Sequence, residues 1–271
     1  MKLECVVVCV DYSDFLNWTL PFNRQLFDKM IVVTAPHDTR TQQICEKWYV
    51  ECLVTDVFYE DNAPFNKAKG INAGLAKLKK NDWVLHMDAD ILMPPMSRRI
   101  LDSMDLETEC LYFAFRENCK GFNNFIKFMQ YPKSIHEGWI YTHWNLPMLE
   151  MGTMINKYVP DSKTGKVRGV VPIGYFQMWN PKATGVYAYP EQHKTAARTD
   201  MQFGELWDHR HVRYLPEIPV IHLESEDAGM GDNWKGRKTK PFGRFTKKET
   251  LQFQGLHNQR PAEDEQNYDN A

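Results

Sequence analysis

Three stretches of the chain are apolar without alternation: residues 3–10 (LECVVVCV), 30–34 (MIVVT) and 83–87 (WVLHM). Strands with one wet face alternate, so unbroken runs rich in β-branched residues fit strands covered on both faces of a parallel sheet. Helix-length segments separate them. Residues 15–27 and 41–49 have mixed helical spacing. In residues 66–80 (NKAKGINAGLAKLKK), Ile71, Leu75 and Leu78 fall on one helical face. Lys77, Lys79 and Lys80 near its end complement the helix dipole. The first ninety residues are therefore predicted as β-α-β-α-β-α-β, an α/β sheet with helical crossovers.

Beyond Pro94-Pro95 the pattern loosens. Strands are predicted at 110–116, 173–179, 186–189 and 219–223, and a helix at 200–209. Residues 118–171 are long, aromatic and irregular, and 224–248 are polar, glycine-bearing and basic. From residue 259 the chain is acidic and polar without apolar periodicity, which predicts a disordered tail. A chain of 271 residues suits one large domain or two small ones. The expected organisation is one catalytic domain over 1–258, with a ligand-binding half over 1–95 and a more elaborate half over 96–258, followed by the tail at 259–271.

Lys plus Arg number 33 against 35 Asp plus Glu, so a polyanionic partner would need a local basic patch rather than the field of the whole protein. None of the six cysteines forms a C-x-x-C pair, which argues against a zinc cluster. Cys5 and Cys9 lie in an apolar run, as buried thiols do, and this points to a reducing, cytoplasmic setting. The apolar run at the start is too short for a membrane span and lacks a cleavage site, so no membrane span is expected.

The strongest chemical feature is His86-Met87-Asp88-Ala89-Asp90-Ile91-Leu92-Met93-Pro94. An apolar strand runs directly into two carboxylates separated by one small residue, at the carboxyl end of a strand where α/β sheets gather ligands. Alternate residues of an extended chain project together. Two converging carboxylates repel unless a cation lies between them, so Asp88 and Asp90 are candidate ligands for a divalent metal. A turn carrying two solvated aspartates is the plainer alternative.

The stretch Asn66-Lys67-Ala68-Lys69-Gly70-Ile71-Asn72-Ala73-Gly74-Leu75, followed by WVLHMDADILMPP, resembles the donor half of GT-A fold glycosyltransferases, particularly family-2-like members with a D-x-D motif. The resemblance covers residues 3–95 and continues more weakly through 170–225. It implies a GT-A-like, Rossmann-like mixed and mainly parallel sheet flanked by helices, with an elaborated C-terminal acceptor half. It also implies a nucleotide-diphosphate sugar donor, a UDP-sugar by preference, with Asp88 near the ribose and Asp90 on the metal. Lys67 and Lys69 are placed to reach diphosphate or ribose oxygens as point charges, or are solvated helix lysines. Asn72 is implied as a donor contact, although it and Gly74 would equally serve close helix–strand packing. The nucleobase is expected beside Asp11, Tyr12, Thr34 and Asp38; the carboxylate often found at the end of the second strand is Thr34 here, with Asp38 as a stand-in or a turn residue.

The same resemblance places an acidic residue opposite the anomeric carbon, where it takes a proton from an attacking hydroxyl; Asp200 in TDMQFGELW matches it. A first-turn aspartate that satisfies helix amides is the alternative. A late histidine completes the metal sphere in many such enzymes, and His222 in PVIHLE occupies that position, with Mn²⁺ or Mg²⁺ as the ion. A core histidine is the alternative. Residues 234–248 carry seven cations interleaved with aromatics and glycines. They suit a lid on the donor through Lys235 and Lys238, a contact with a polyanionic acceptor through Lys240 and Arg244, or a solvated loop. Trp139 and Trp144 are candidate acceptor-stacking residues, with core packing as an equal alternative.

The predicted activity is metal-dependent transfer of a sugar to a hydroxyl, with inversion because one base and no second nucleophile is visible. Acceptor classes are a hydroxymethylated base in DNA, as with some viral enzymes acting in host cytoplasm, or a glycan or small molecule. A nucleotidyltransferase would share the sheet and metal chemistry, but Asp11-Tyr12-Ser13-Asp14 stands where its Gly-rich basic loop belongs. A non-catalytic sugar- or nucleic-acid-binding module would not need Asp88, Asp90, Asp200 and His222 together.

Overall fold

The computed structural model describes residues 1–130, 146–156 and 171–243. Its strands are β1 (Leu3–Val8), β2 (Lys29–Thr34), β3 (Glu51–Val54), β4 (Trp83–Asp88), β5 (Ile91–Leu92), β6 (Leu111–Lys120), β7 (Glu150–Met151), β8 (Ile155–Asn156), β9 (Val171–Pro172), β10 (Phe176–Trp179) and β11 (Val212–Glu224). The helices are α1 (Ser13–Asn23), α2 (Thr39–Lys47), α3 (Lys67–Leu75), α4 (Ser97–Ser103), α5 (Phe122–Gln130), α6 (Pro181–Thr184) and α7 (Thr199–Gly204). The main sheet runs β3-β2-β1-β4-β10-β6-β11-β5, with β7 added to β6. β1 to β4 are mutually parallel, β10 is antiparallel to both neighbours, and β11 is parallel to β6. The fold class is the predicted α/β one, with a mixed and mainly parallel sheet flanked by helices.

The unbroken apolar runs have the expected cause. Leu3, Cys5 and Val7 of β1 pack with Leu16 and Leu20 of α1 and with Cys45 of α2. Val6 and Val8 point the other way, onto Ala68, Ile71 and Leu75 of α3. Each face of β1 is thus covered by helices, and its one polar residue, Glu4, is buried with its carboxylate accepting from the amides of Lys79 and Lys80. The third strand of the predicted β-α-β-α-β-α-β series, which no apolar run marked, is β3, a short edge strand whose Glu51 and Val54 are exposed.

Two features aim α3 at the sheet's carboxyl edge. Asn66 caps the helix, its Oδ1 accepting from the Lys69 amide at 3.1 Å. Gly74 lies so close to the sheet that a Cβ there would stand 2.6 Å from Val6 and 2.7 Å from Val33. The helix therefore rests directly on β1 and β2, with Lys67 in its first turn.

β5 follows β4 after only Ala89 and Asp90, yet it pairs with β11, which lies beyond β10 and β6. The strands from β4 to β5 must therefore curl round until the ends of that two-residue link meet. His222 pairs in register with Ile91, and the Leu223 amide donates to the Asp90 carbonyl at 2.9 Å.

Three expectations differ in detail. Residues 186–189 are not a strand: the Val186 carbonyl accepts from the Trp179 indole, and Tyr189 bonds through its amide and carbonyl to the Asn72 side chain. The helix expected at 200–209 ends at Gly204, and a 3-10 turn, His209–His211, follows. The strand expected at 110–116 continues to Lys120 because β11 pairs along that length. The predicted tail at 259–271 lies outside the described residues. Among the described residues, no helix is long and apolar enough to cross a membrane.

Candidate active site

Asp88 ends β4, and its amide donates to the Tyr175 carbonyl at 3.1 Å. The adjacent amide, that of Gly174, donates to Asp200 Oδ2 at 2.9 Å. Two neighbouring residues of one turn thus hold the second-half acid beside the first-half one. Asp200 is further fixed through its carbonyl, which accepts from Gln177 Nε2 at 3.1 Å; Tyr189 in turn donates its hydroxyl to Gln177 Oε1 at 2.7 Å.

Lys67 reaches this group from the start of α3 and donates to Asp88 Oδ1. Burial disfavours its charge, but Asp88, and then Asp200 and Asp90, outweigh that and raise its pKa. One ammonium thus lies in the field of three carboxylates.

Asp90 and His222 meet on the other side, with Asp90 Oδ2 3.4 Å from His222 Nε2. The second ring nitrogen, Nδ1, lies 3.0 Å from Glu224 Oε1. Such a carboxylate on the far nitrogen orients an imidazole toward its other partner. Burial opposes a charge on His222, but Asp90 and Glu224 raise its pKa to about 9. Asp90 is correspondingly lowered despite its burial, chiefly by His222. Asp88 is raised, first by burial and then by Asp90, against the pull of Lys67.

Asp90 Oδ1 is buried without a hydrogen-bond partner. A buried carboxylate oxygen in that state is an acceptor for a cation or a donor group. Among the described residues, no three His, Cys, Asp or Glu side chains cluster closely enough to hold a metal by themselves. Asp90 and His222 fit a divalent ion whose remaining ligands are oxygens of a bound molecule, since the mixed carboxylate–imidazole pair suits Mn²⁺ or Mg²⁺.

The residues expected at the nucleobase gather at the ends of β1 and β2. Asp38 is buried, and its carboxylate is occupied by the protein: it accepts from Asp11 N at 2.7 Å, Thr41 Oγ1 at 2.7 Å and Thr41 N at 3.1 Å, with Thr34 Oγ1 at 3.4 Å. It caps α2 and holds Asp11 at a positive φ of 61°. The Asp11 carboxylate is half exposed and lies 3.4 Å from His37, whose ring is 6.0 Å from that of Tyr59. Tyr12, partly buried, connects the two groups: after burial, Asp90 and Asp88 both raise the pKa of its hydroxyl.

Other expected residues are employed elsewhere. Lys69 pairs with Glu60 at 2.7 Å and Asp61 at 2.9 Å. Asn72 holds Tyr189 and Glu191. Lys235, Lys238 and Lys240 are exposed. Trp139, Trp144 and Arg244 lie outside the described residues. Glu224 joins the site without having been expected there, although its place two residues beyond His222 on a strand puts both on one face. Arg237 was equally unexpected: it forms a two-pronged ion pair with Asp14, donates to the Asp11 carbonyl at 2.7 Å and lies 4.8 Å from the centre of the Tyr12 ring. Nothing local marked that basic residue out from its neighbours.

No protein-family model and no curated protein matches the sequence. Some solved structures share part of the fold. One is a mycobacterial protein with 17% identity over 43% of this chain and 41% of that chain, at a TM-score of 0.36. Another is glucosyl-3-phosphoglycerate synthase from Mycobacterium tuberculosis in complex with Mn²⁺, uridine-diphosphate-glucose and phosphoglyceric acid; it has 15% identity over 42% of this chain and 43% of that chain, at a TM-score of 0.35. The chain thus spans less than half the length of these structures. A likeness of that extent decides nothing about the site, whose chemistry rests on its own residues.

Proposed function

We propose that the protein is a metal-dependent glycosyltransferase that moves a sugar from a nucleotide-diphosphate sugar, a UDP-sugar by preference, to an acceptor hydroxyl. The observation that carries this reading is the convergence of Asp88, Asp90, Lys67, Asp200 and His222 at the carboxyl edge of the sheet. Carboxylates from both halves of the chain meet there, beside the exposed groups of Asp11, His37 and Tyr59, which suit a nucleobase.

Asp90 and His222 would hold the divalent ion in this reading, with Glu224 orienting the ring. Bound there, Mn²⁺ or Mg²⁺ would supply positive charge opposite the departing diphosphate. Asp200 accepts the proton of the acceptor hydroxyl as its oxygen bonds to the anomeric carbon and the bond from that carbon to the diphosphate breaks. One base and one displacement give inversion. The Gly174 amide fixes one oxygen of Asp200, which sets the direction of the carboxylate.

In the described part of the basic segment, Arg237 is engaged with Asp14, while Lys235, Lys238 and Lys240 are exposed. A glycan or small-molecule hydroxyl is taken as the default acceptor, with a hydroxymethylated base in DNA as the alternative. The test is a panel of nucleotide sugars, incubated with Mn²⁺ or with chelator and assayed for release of nucleoside diphosphate. Release from one or a few donors, abolished by chelator, is the expected result. No release from any donor with any acceptor class would overturn the reading.

A further inference from the structure

We propose that Lys67 is a built-in counter-cation that keeps the site from taking a divalent metal alone and makes it take metal and donor diphosphate together. The proposal rests on the glycosyltransferase reading and adds an order of binding to it.

Lys67 donates to Asp88 Oδ1 and is only 17% exposed. Asp88 keeps 28% of its side-chain surface, and Asp90 15%. All three groups lie in a region of low effective dielectric, where an unbalanced charge is costly. Asn66 caps the helix immediately before Lys67, and Gly74 holds α3 against β1 and β2, so the ammonium is delivered by a rigid element. Lys69, two residues on and so on the opposite side of the helix, is held by Glu60 and Asp61 and cannot take its place.

The contact decides the consequence. Asp88 Oδ1 is taken by Lys67. A bare divalent ion that took Asp88 would leave the ammonium largely buried without its partner, which is costly. The diphosphate of a nucleotide sugar brings acceptor oxygens of its own. With the phosphates present, Lys67 has a second set of oxygens to bind and Asp88 is released to the ligand. Lys67 thus positions the site for metal and diphosphate together and against the free ion.

The test is Mn²⁺ affinity measured by electron paramagnetic resonance on the full chain, with and without UDP, for the wild type and for K67M and K67Q. Methionine preserves the length of the stem, glutamine preserves polarity, and circular dichroism checks the fold of each. The wild type should bind Mn²⁺ weakly alone and much more tightly with UDP. In at least one folded variant, Mn²⁺ affinity without UDP should rise on the order of tenfold or more, and the gain on adding UDP should shrink. If the wild type shows UDP-dependent Mn²⁺ binding but the folded variants bind free Mn²⁺ no more tightly than it does, the counter-cation role is wrong and the donor site stands. If the wild type binds no Mn²⁺ even with UDP, the underlying reading fails and this role falls with it.

Discussion

The Asp90 carboxylate lies 3.4 Å from the His222 imidazole, and the strand bearing His222 is separated from β4 in the sheet by β10 and β6. The two residues meet because β5, which Asp90 leads into, leaves β4 and closes onto β11. The contact is therefore a product of sheet curvature. It places the two-residue link between β4 and β5 at the point where Asp90 and His222, from the two halves of the chain, face each other.

Asp200→Asn should slow chemistry far more than it weakens donor binding. The amide keeps the shape and the Gly174 hydrogen bond but cannot take a proton. A general base contributes roughly 10²–10⁴-fold, and kcat should fall within that range while calorimetric donor affinity stays near the wild-type value. Unchanged kcat would return Asp200 to a purely structural place at the start of α7.

The first half of this account was legible in the sequence and the second only partly. β1, β2 and β4 are buried on both faces, so their apolar runs announced them, and the turn after β4 announced Asp88 and Asp90. The Lys67–Asp88 pair needed the close seating of α3, which Gly74 allows but which no pattern quantifies. Asp38 read as a nucleobase contact, yet its oxygens are taken by Asp11, Thr34 and Thr41. Arg237 was one cation among seven until the fold set it against Asp14, 223 positions away. Such pairings depend on which loops the sheet brings together, and local spacing carries no record of that.

Arg237→Ala should destabilise the protein and free the segment around it. Arg237 is nearly buried, grips both oxygens of Asp14, and stacks over Tyr12 and Phe15. Removing one partner of a buried pair costs about 3–5 kcal/mol. Thermal melting should show a lower Tm, and limited proteolysis should cut residues 225–243 sooner. Equal melting and cleavage would mean that the segment is held by other contacts, such as that of Phe242 with Phe15.

Gly74→Ala tests the seating of α3. A methyl group there would press on Val6 and Val33, and overpacking of this kind costs about 1–3 kcal/mol. Denaturant unfolding should show a loss in that range. A neutral or stabilising result would show that the helix can lift from the sheet without cost.

Asp28 gives a pH dependence of stability. Burial raises its pKa, but the Leu3 amide, Lys2 and Arg98 outweigh it and hold the carboxyl at about 2. A group lowered in the folded state stabilises fully above its unfolded pKa of roughly 4. That contribution is lost as pH falls from about 4 through about 2. Asp28→Asn should therefore be less stable than the wild type at pH 7, with the difference closing over that window. A difference that stays constant down to pH 2 would contradict the assignment.

The central claim is that Asp88, Asp90 and His222 form a site for a nucleoside diphosphate with a divalent cation, and calorimetric titration of UDP tests it most directly. The wild type should bind UDP in the presence of Mn²⁺, lose that binding in chelator, and lose it again in a folded Asp90→Ala variant with Mn²⁺ restored. UDP binding of equal strength in all three conditions would contradict the claim.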